Sequence, residues 1–366
     1  MPIARVHRVS ARAPDDVSGI EAAIAAGRID PKGVVAVLAK TEGNGLVNDF
    51  SRGFATLRLR QLFERFLPHE EAAKLCLVMS GGTEGGMAPH WIVFERKEGD
   101  GGQRPALAIG RTHTPALPFQ HLGRLAQVDQ VAAGVQAAMR DAGIGDPDHV
   151  HYVQIKCPLL TAQRVGAALR SGATVATSDT LKSMGLSRAA STLGAAVALG
   201  EVERRKLTDA DIATRWELWS SRTSSSAGIE LLGHEIIVMG MAPGWSGPLA
   251  IDHAVMADAI DIEPVRAALD RLGISAAGQL SPQQRERLVA VLAKAEASHD
   301  GLLRGYRHCM LDDSDIAATR HARAFVCGAL AGLIGHAEIY VSGGAEHQGP
   351  DGGGPVALIV DRSAAA

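Results

Sequence analysis

The sequence predicts an α/β protein: three homologous α/β repeat units around a pseudo-threefold axis, forming a central β-barrel with the helices outside. Three observations carry this. The hexapeptide Val35-Ala36-Val37-Leu38-Ala39-Lys40 returns letter for letter as Val289-Ala290-Val291-Leu292-Ala293-Lys294, and in looser form as Tyr152-Val153-Gln154-Ile155-Lys156. A Ser-small-Gly-x-Glu motif occurs at Ser80-Gly81-Gly82-Thr83-Glu84, Ser226-Ala227-Gly228-Ile229-Glu230 and Ser342-Gly343-Gly344-Ala345-Glu346. Each lysine run follows an amphipathic segment that closes at glycine, the usual left-handed helix stop. Units on the order of 100 residues are too long for solenoid repeats, so each reads as a self-contained α/β layer.

Unit one (1–103) has a helix over Gly19–Ala26 stopped by Gly27, then the aliphatic strand into Lys40. An arginine segment follows at Ser51-Arg52, then the apolar run Leu77-Val78-Met79 into Ser80 and a closing strand over His90–Phe94. Unit two (104–246) adds an opening strand at Leu107–Gly110. Its helix over Val131–Ala142 ends at Gly143, its lysine is Lys156, its arginine segment is Ser187-Arg188, and its closing strand is Glu235–Met241. Unit three (247–366) opens at Leu249–Asp252 and has a helix over Pro264–Leu272 stopped by Gly273. It continues through Lys294, Thr319-Arg320 and Ile339-Tyr340-Val341-Ser342 to a closing strand at Val356–Val360. β-branched and aliphatic runs bounded by turn residues are the strand signal. The polar stretch Lys97–Pro105 and the turn Pro243–Pro248 divide the units.

Composition narrows the function. The chain of 366 residues is 46% hydrophobic and 21% charged, which is globular, and long enough for two or three compact units. Aromatics make up 4% and the net charge is −3. A nucleic-acid platform needs stacking aromatics and a basic face, so no nucleic-acid partner is expected. No run approaches the roughly 18 apolar residues of a membrane span, and the N-terminus lacks the apolar core of a signal peptide. Cys76, Cys157, Cys309 and Cys327 form no CxxC pair and read as reduced residues of a cytoplasmic protein.

The chemistry lies in the repeated positions. If the units share a fold, symmetry gathers Lys40, Lys156 and Lys294, Arg52, Arg188 and Arg320, and Ser80, Ser226 and Ser342 at one site. A serine hydroxyl needs a base, and a lysine kept neutral by burial and nearby cations can supply it. Main-chain N–H groups beside Gly81, Ala227 and Gly343 can hold carbonyl oxygens or an oxyanion. The ligand is expected to be small, flat and rich in carbonyls. Glu42 and Glu296 lie two residues past Lys40 and Lys294, whereas Lys156 is followed by Cys157-Pro158. A carboxylate stabilises the charged lysine, so its absence points to Lys156 and Ser226 as the working pair.

Lys40-Thr41-Glu42-Gly43-Asn44-Gly45, Val78-Met79-Ser80-Gly81-Gly82-Thr83-Glu84-Gly85, Lys156-Cys157-Pro158-Leu159-Leu160-Thr161 and Ser342-Gly343-Gly344-Ala345-Glu346-His347-Gln348-Gly349-Pro350 resemble the ring-opening amidohydrolases, across essentially the whole chain. The resemblance implies one Ser-Lys dyad per unit, with the middle dyad, Ser226 and Lys156, catalytic. The other serines and the arginines would bind the ring. The implied reaction opens cyanuric acid to carboxybiuret, which loses carbon dioxide to leave biuret; opening of barbituric acid is the sister activity. No catalytic cofactor is implied. A structural Mg²⁺ or Ca²⁺ is implied, held by Glu296 and by oxygens around Ala345, Gln348, Pro350 and Gly353, a mostly carbonyl set that suits a hard ion. A homotetramer is also implied.

Other readings are weaker. His149-Val150-His151 has the pattern of zinc-dependent amidohydrolases, but no further ligands can be placed for it. The cluster Ser220-Ser221-Arg222-Thr223-Ser224-Ser225-Ser226 faintly resembles the Ser-Ser-Lys amidases, which keep lysine and serines in one domain. No GxGxxG, P-loop or GxSxG motif occurs. From another class, a non-catalytic threefold protein that binds a small anionic metabolite stays open.

Overall fold

The computed structural model describes residues 1–99 and 104–363. The chain opens with β1 (Pro2–Ser10), α1 (Ser18–Ala25), β2 (Val34–Thr41), α2 (Phe50–Phe63), α3 (His69–Ala73), β3 (Cys76–Gly81) and β4 (His90–Glu98). The middle third is β5 (Ala106–His113), α4 (Leu125–Ala142), β6 (Val150–Pro158), α5 (Ala162–Arg170), α6 (Thr180–Ala198), β7 (Thr223–Gly228) and β8 (Glu235–Ala242). The last third is β9 (Leu249–Met256), α7 (Glu263–Arg271), α8 (Pro282–Arg287), β10 (Leu288–Ala295), the small hairpin β11 (Leu302–Leu303) and β12 (Tyr306–Arg307), α9 (Ala318–Ile334), β13 (Tyr340–Gly343) and β14 (Gly354–Asp361).

Three four-stranded mixed sheets result, in the orders β1-β4-β2-β3, β5-β8-β6-β7 and β9-β14-β10-β13. In each, the lysine strand runs parallel to the serine strand and antiparallel to the closing strand. The register is the same in all three: Lys40 faces Ser80, Lys156 faces Ser226 and Lys294 faces Ser342. Each lysine strand also carries an irregularity at its start, at Val34/Ala36, Val150/Tyr152 and Leu288/Ala290. Among the described residues the strands pair as three separate four-stranded sheets and the β11–β12 hairpin, and no closed β-barrel is found.

The lysine strands β2 and β10 are buried almost throughout, as central strands covered on both faces must be. Strand alternation splits their side chains. Ala36 and Leu38 of β2, and Ala290 and Leu292 of β10, join one core that also takes Tyr152 of β6, Val78 of β3 and Tyr340 of β13. Val37 and Ala39 turn instead to α1 and α2, and Val291 and Ala293 to α7 and α9. Lys40 and Lys294 continue the series that faces the shared core, and so do Ser80 after Val78 and Ser342 after Tyr340. A period of two therefore aims the polar residues at the place where the sheets meet.

Some elements differ from expectation. The repeat order implies an opening strand in every unit, but no residues mark it in unit one; it is β1, where Arg5, His7 and Arg8 are mixed with Val6 and Val9 on an edge strand, which tolerates polar side chains. α4 starts at Leu125 rather than Val131, because Val128 extends its buried stripe. Lys97 belongs to β4, so the expected linker begins late, and its centre lies outside the described residues. Among the described residues no helix is long and apolar enough to cross a membrane.

Candidate active site

An inner cavity of about 20 Å³ lies where the sheets meet, lined by Arg52, Ser80, Gly81, Lys156, Arg188, Ser226, Ala227, Ser342, Gly343 and also by Gly45, Met79, Met184 and Arg323. It adjoins a cleft of about 860 Å³ that shares Gly45, Met184, Arg188, Arg323 and Gly343 with it. Lys40 and Lys294 stand just behind Ser80 and Ser342. Lys40 Nζ donates to Ser80 Oγ at 3.0 Å, and Lys294 Nζ to Ser342 Oγ at 3.2 Å. Lys294 also donates to Ser225 O at 2.7 Å, and Lys156 to Met79 O at 2.7 Å. Each of those carbonyls belongs to the residue before a neighbouring sheet's serine.

The three lysines are at most 1% exposed. Burial pulls Lys40 and Lys294 well below the ordinary lysine range. It lowers Lys156 as well, but there Glu230 pulls the other way, with Oε1 at 3.1 Å from Nζ. The expectation that Lys156 has no nearby carboxylate therefore does not hold. Lys156 has the closest carboxylate of the three, supplied by its own sheet's motif instead of by the residues after the lysine. Glu42 is exposed. What sets the middle pair apart is the serine. Ser226 Oγ is buried without a hydrogen-bond partner, whereas Ser80 and Ser342 are tied to their lysines.

Of the expected arginines, Arg52 and Arg188 line the cavity and Arg320 does not. Arg323, one helical turn further along α9, takes the place. The Arg323 side chain is 3% exposed against 35% for Arg320. Arg320 is the residue expected from sequence because Thr319-Arg320 copies the hydroxyl-arginine pairs Ser51-Arg52 and Ser187-Arg188, and Ala322-Arg323 does not. Arg52 sits in the first turn of α2, where a cation gains nothing from the helix dipole. Its guanidinium donates to Leu46 O at 2.7 Å and to Ala227 O at 3.4 Å.

The motif glutamates had no expected role. Arg188 Nε and Nη2 donate to Glu346 at 2.7 and 2.6 Å, and Arg323 Nε and Nη2 donate to Glu84 at 2.9 and 2.6 Å. Such two-point pairs fix the plane of a guanidinium. Burial opposes the Arg188 charge, but Glu346 more than offsets it and holds the pKa above the ordinary arginine value. Burial likewise opposes ionisation of Glu84, and Arg323 holds that carboxyl below its usual range. Tyr340, buried at the same junction, was also missed. It stands two residues before Ser342 and reads in sequence as plain core.

Around the expected cation site, the half-buried Glu296 carboxylate accepts from the main-chain N–H groups of Ala297 and Ala345 at 3.1 Å each. A cavity of about 10 Å³ beside it is lined by Ala345, Gly349, Pro350, Asp351 and His299. Burial and the nearby Glu346 charge push the Glu296 pKa up. Two neighbouring carboxylates, Glu296 and Glu346, beside a small cavity that Asp351 also lines are a donor set that fits a hard cation. The Gln348 side chain is engaged elsewhere, its Oε1 accepting from Ser225 N at 2.7 Å, and Gly353 N donates to Pro350 O at 3.0 Å. His149 and His151 do not reach this site. His151 pairs with His253, its Nδ1 3.0 Å from His253 Nδ1, at the seam between the second and third sheets.

Comparison with known proteins points to one family. A family model described as amidohydrolase ring-opening protein matches residues 5–361. A cyanuric acid amidohydrolase of Azorhizobium caulinodans is 63% identical over 364 residues, 99% of each chain. One from Ectopseudomonas oleovorans is 50% identical over 362 residues, 97% of this chain and 99% of that one. The crystal structure of the A. caulinodans cyanuric acid hydrolase superposes with a TM-score of 0.92 over 99% of this chain and 100% of that chain. A second cyanuric acid hydrolase structure, 46% identical, gives 0.94 over the same shares.

Proposed function

The chain belongs to the ring-opening amidohydrolases, hydrolases of C–N bonds in cyclic amides, and from that premise we propose that it opens cyanuric acid to carboxybiuret, which then releases carbon dioxide and leaves biuret. The observation that carries this reading is the convergence on one inner cavity of three serines, each in the same register with a lysine, and three arginines. A flat ring with three equivalent carbonyls matches that arrangement. Incubation of the pure protein with cyanuric acid and, in parallel, with barbituric acid tests it. Biuret from the first is expected; intact binding without turnover would make the protein a binder, and faster loss of barbituric acid would change the substrate.

In the proposed mechanism, neutral Lys156 takes the proton of Ser226 Oγ, and Oγ attacks a ring carbonyl carbon. Main-chain N–H groups stabilise the oxyanion. As the C–N bond breaks, Lys156 returns the proton to the leaving ring nitrogen, and water then hydrolyses the acyl-enzyme. Support for Ser226 is its free hydroxyl beside a buried lysine whose pKa is lowered. Ser80, Ser342, Arg52, Arg188 and Arg323 hold the ring, with Lys40 and Lys294 fixing the two other serines. The inner cavity has room for about one water molecule. A ring therefore enters from the larger cleft as side chains at the shared neck, Met184 among them, give way.

The three sheets are proposed to be copies of one ancestral unit facing a common axis; their shared strand order, Lys–Ser register and irregularity support this. Glu296, with main-chain oxygens of the 345–353 loop, is proposed to hold a structural Mg²⁺ or Ca²⁺ that neutralises adjacent carboxylates and braces the Ser342 loop. A homotetramer is proposed on family resemblance, and sedimentation velocity tests it.

A further inference from the structure

The three motif glutamates occupy equivalent sequence positions but not equivalent roles. Glu84 and Glu346 each grip an arginine from a neighbouring sheet. Glu230 does not. The arginine in the matching position, Arg52, spends its donors on main-chain oxygens of Gly45, Leu46 and Ala227. Glu230 instead turns toward Lys156 of its own sheet, 3.1 Å from Nζ. Neither Glu230 oxygen meets hydrogen-bond geometry with any group, so the contact is one of charge.

The backbone gives the reason for the difference. The third motif residue is left-handed in two copies, Gly82 at φ 99° and Gly344 at φ 77°, and a Cβ on either would strike the partner arginine. Gly228 instead stays in the β7 strand, and a Cβ there would strike the Glu230 carboxylate itself. The extended backbone folds Glu230 back under its own strand, toward the lysine and away from the arginine.

We propose that Glu230 is a positioning residue for the ring-opening reaction, acting through Lys156: it stabilises the ammonium that forms when Lys156 accepts the Ser226 proton. This rests on the assignment of Ser226 and Lys156 as the working dyad. During attack, the Oγ–H proton passes to the Nζ lone pair and Oγ bonds to the ring carbon. Charge separates inside a buried site, and a fixed carboxylate against the new ammonium lowers that cost, as the aspartate does for histidine in a Ser-His-Asp triad. The charged and titratable groups facing the pair are Arg52, which disfavours the ammonium, Arg164, which feels the Glu230 charge from α5, and Cys157, kept a neutral thiol by burial. Glu84 and Glu346 do the equivalent work for arginines, so the assignment separates one copy from the other two.

The test is the pH profile of kcat/KM for Glu230→Gln, whose acid limb reports the free-enzyme base. Removal of the carboxylate weakens the base. The limb is expected to move at least one pH unit toward acid, while plateau kcat falls about 100-fold. Glu230→Asp, which keeps the charge, is expected to hold the limb near its original position. Glu84→Gln should raise KM and leave the limb in place. An unmoved limb in a folded Glu230→Gln protein, or an equal shift in Glu84→Gln, overturns the proposal. Ser226→Ala separates the two levels. Retained turnover there removes the dyad assignment itself, whereas an inactive Ser226→Ala with an unmoved Glu230→Gln limb removes only the role of Glu230.

Discussion

Three serines occupy one register position in three sheets, yet only Ser226 has a free hydroxyl. Ser226→Ala is accordingly expected to cost about 10⁴-fold or more in kcat, the scale of losing a nucleophile. Ser80→Ala and Ser342→Ala, which remove ring contacts, should act mainly on KM. Steady-state kinetics on the three variants decide this; equal losses in all three would put the nucleophile elsewhere. The arginines separate in the same way. Arg323→Lys forfeits the two-point grip on Glu84 and should lower kcat/KM by about 10-fold or more. Arg320→Lys, a third exposed and making a single contact with Glu84, should stay within about twofold.

At the scale of elements, turns at the ends of the serine strands set where the glutamates and arginines go. Gly344→Ala forces an L residue into a left-handed turn against the Arg188 guanidinium. It should destabilise the protein by about 1–3 kcal/mol and raise KM, read by thermal melts and kinetics. Much of the element order was legible in the sequence, because each lysine strand is a short aliphatic run with a helix stop before it and the serine strands of units one and three are apolar; β7, Thr223-Ser224-Ser225-Ser226-Ala227-Gly228, carries no such signal. The position of β1 was not legible, since an edge strand that mixes polar and apolar residues on both faces gives a weak signal. The Lys–Ser pairs were legible because they sit on strands of period two, where sequence position fixes the facing side. Arg323 was not. On a helix, residues three apart share a face, and both arginines reach Glu84; only the burial of Arg323 at the inner cavity separates it from Arg320. Glu230 next to Lys156 was hidden too, because the contact depends on the backbone of Gly228 and not on spacing along the lysine strand.

At the scale of the molecule, charge pairs lock the sheets to one another. Arg323–Glu84 joins the third to the first, Arg188–Glu346 the second to the third, and Asp252 bridges Arg271 and His151 across the second seam. Burial works against the Asp252 charge, but those partners pull its pKa down to about 2, and Glu84 is depressed as well. Depressed carboxylates contribute stability that is complete above their unfolded values, near pH 4, and is lost as pH falls through the folded ones. Acid unfolding followed by circular dichroism should therefore set in below about pH 4, and Glu84→Gln should flatten that dependence. Chelation of the proposed cation should lower Tm by several degrees, with Mg²⁺ or Ca²⁺ restoring it. Loss of the chemical step at unchanged Tm would contradict a structural role. The most direct measurement of the central claim is mass spectrometry of enzyme quenched during turnover of cyanuric acid. A ring-opened acyl adduct is expected on the peptide that contains Ser226, and none in Ser226→Ala. An adduct on Ser80 or Ser342 would contradict it.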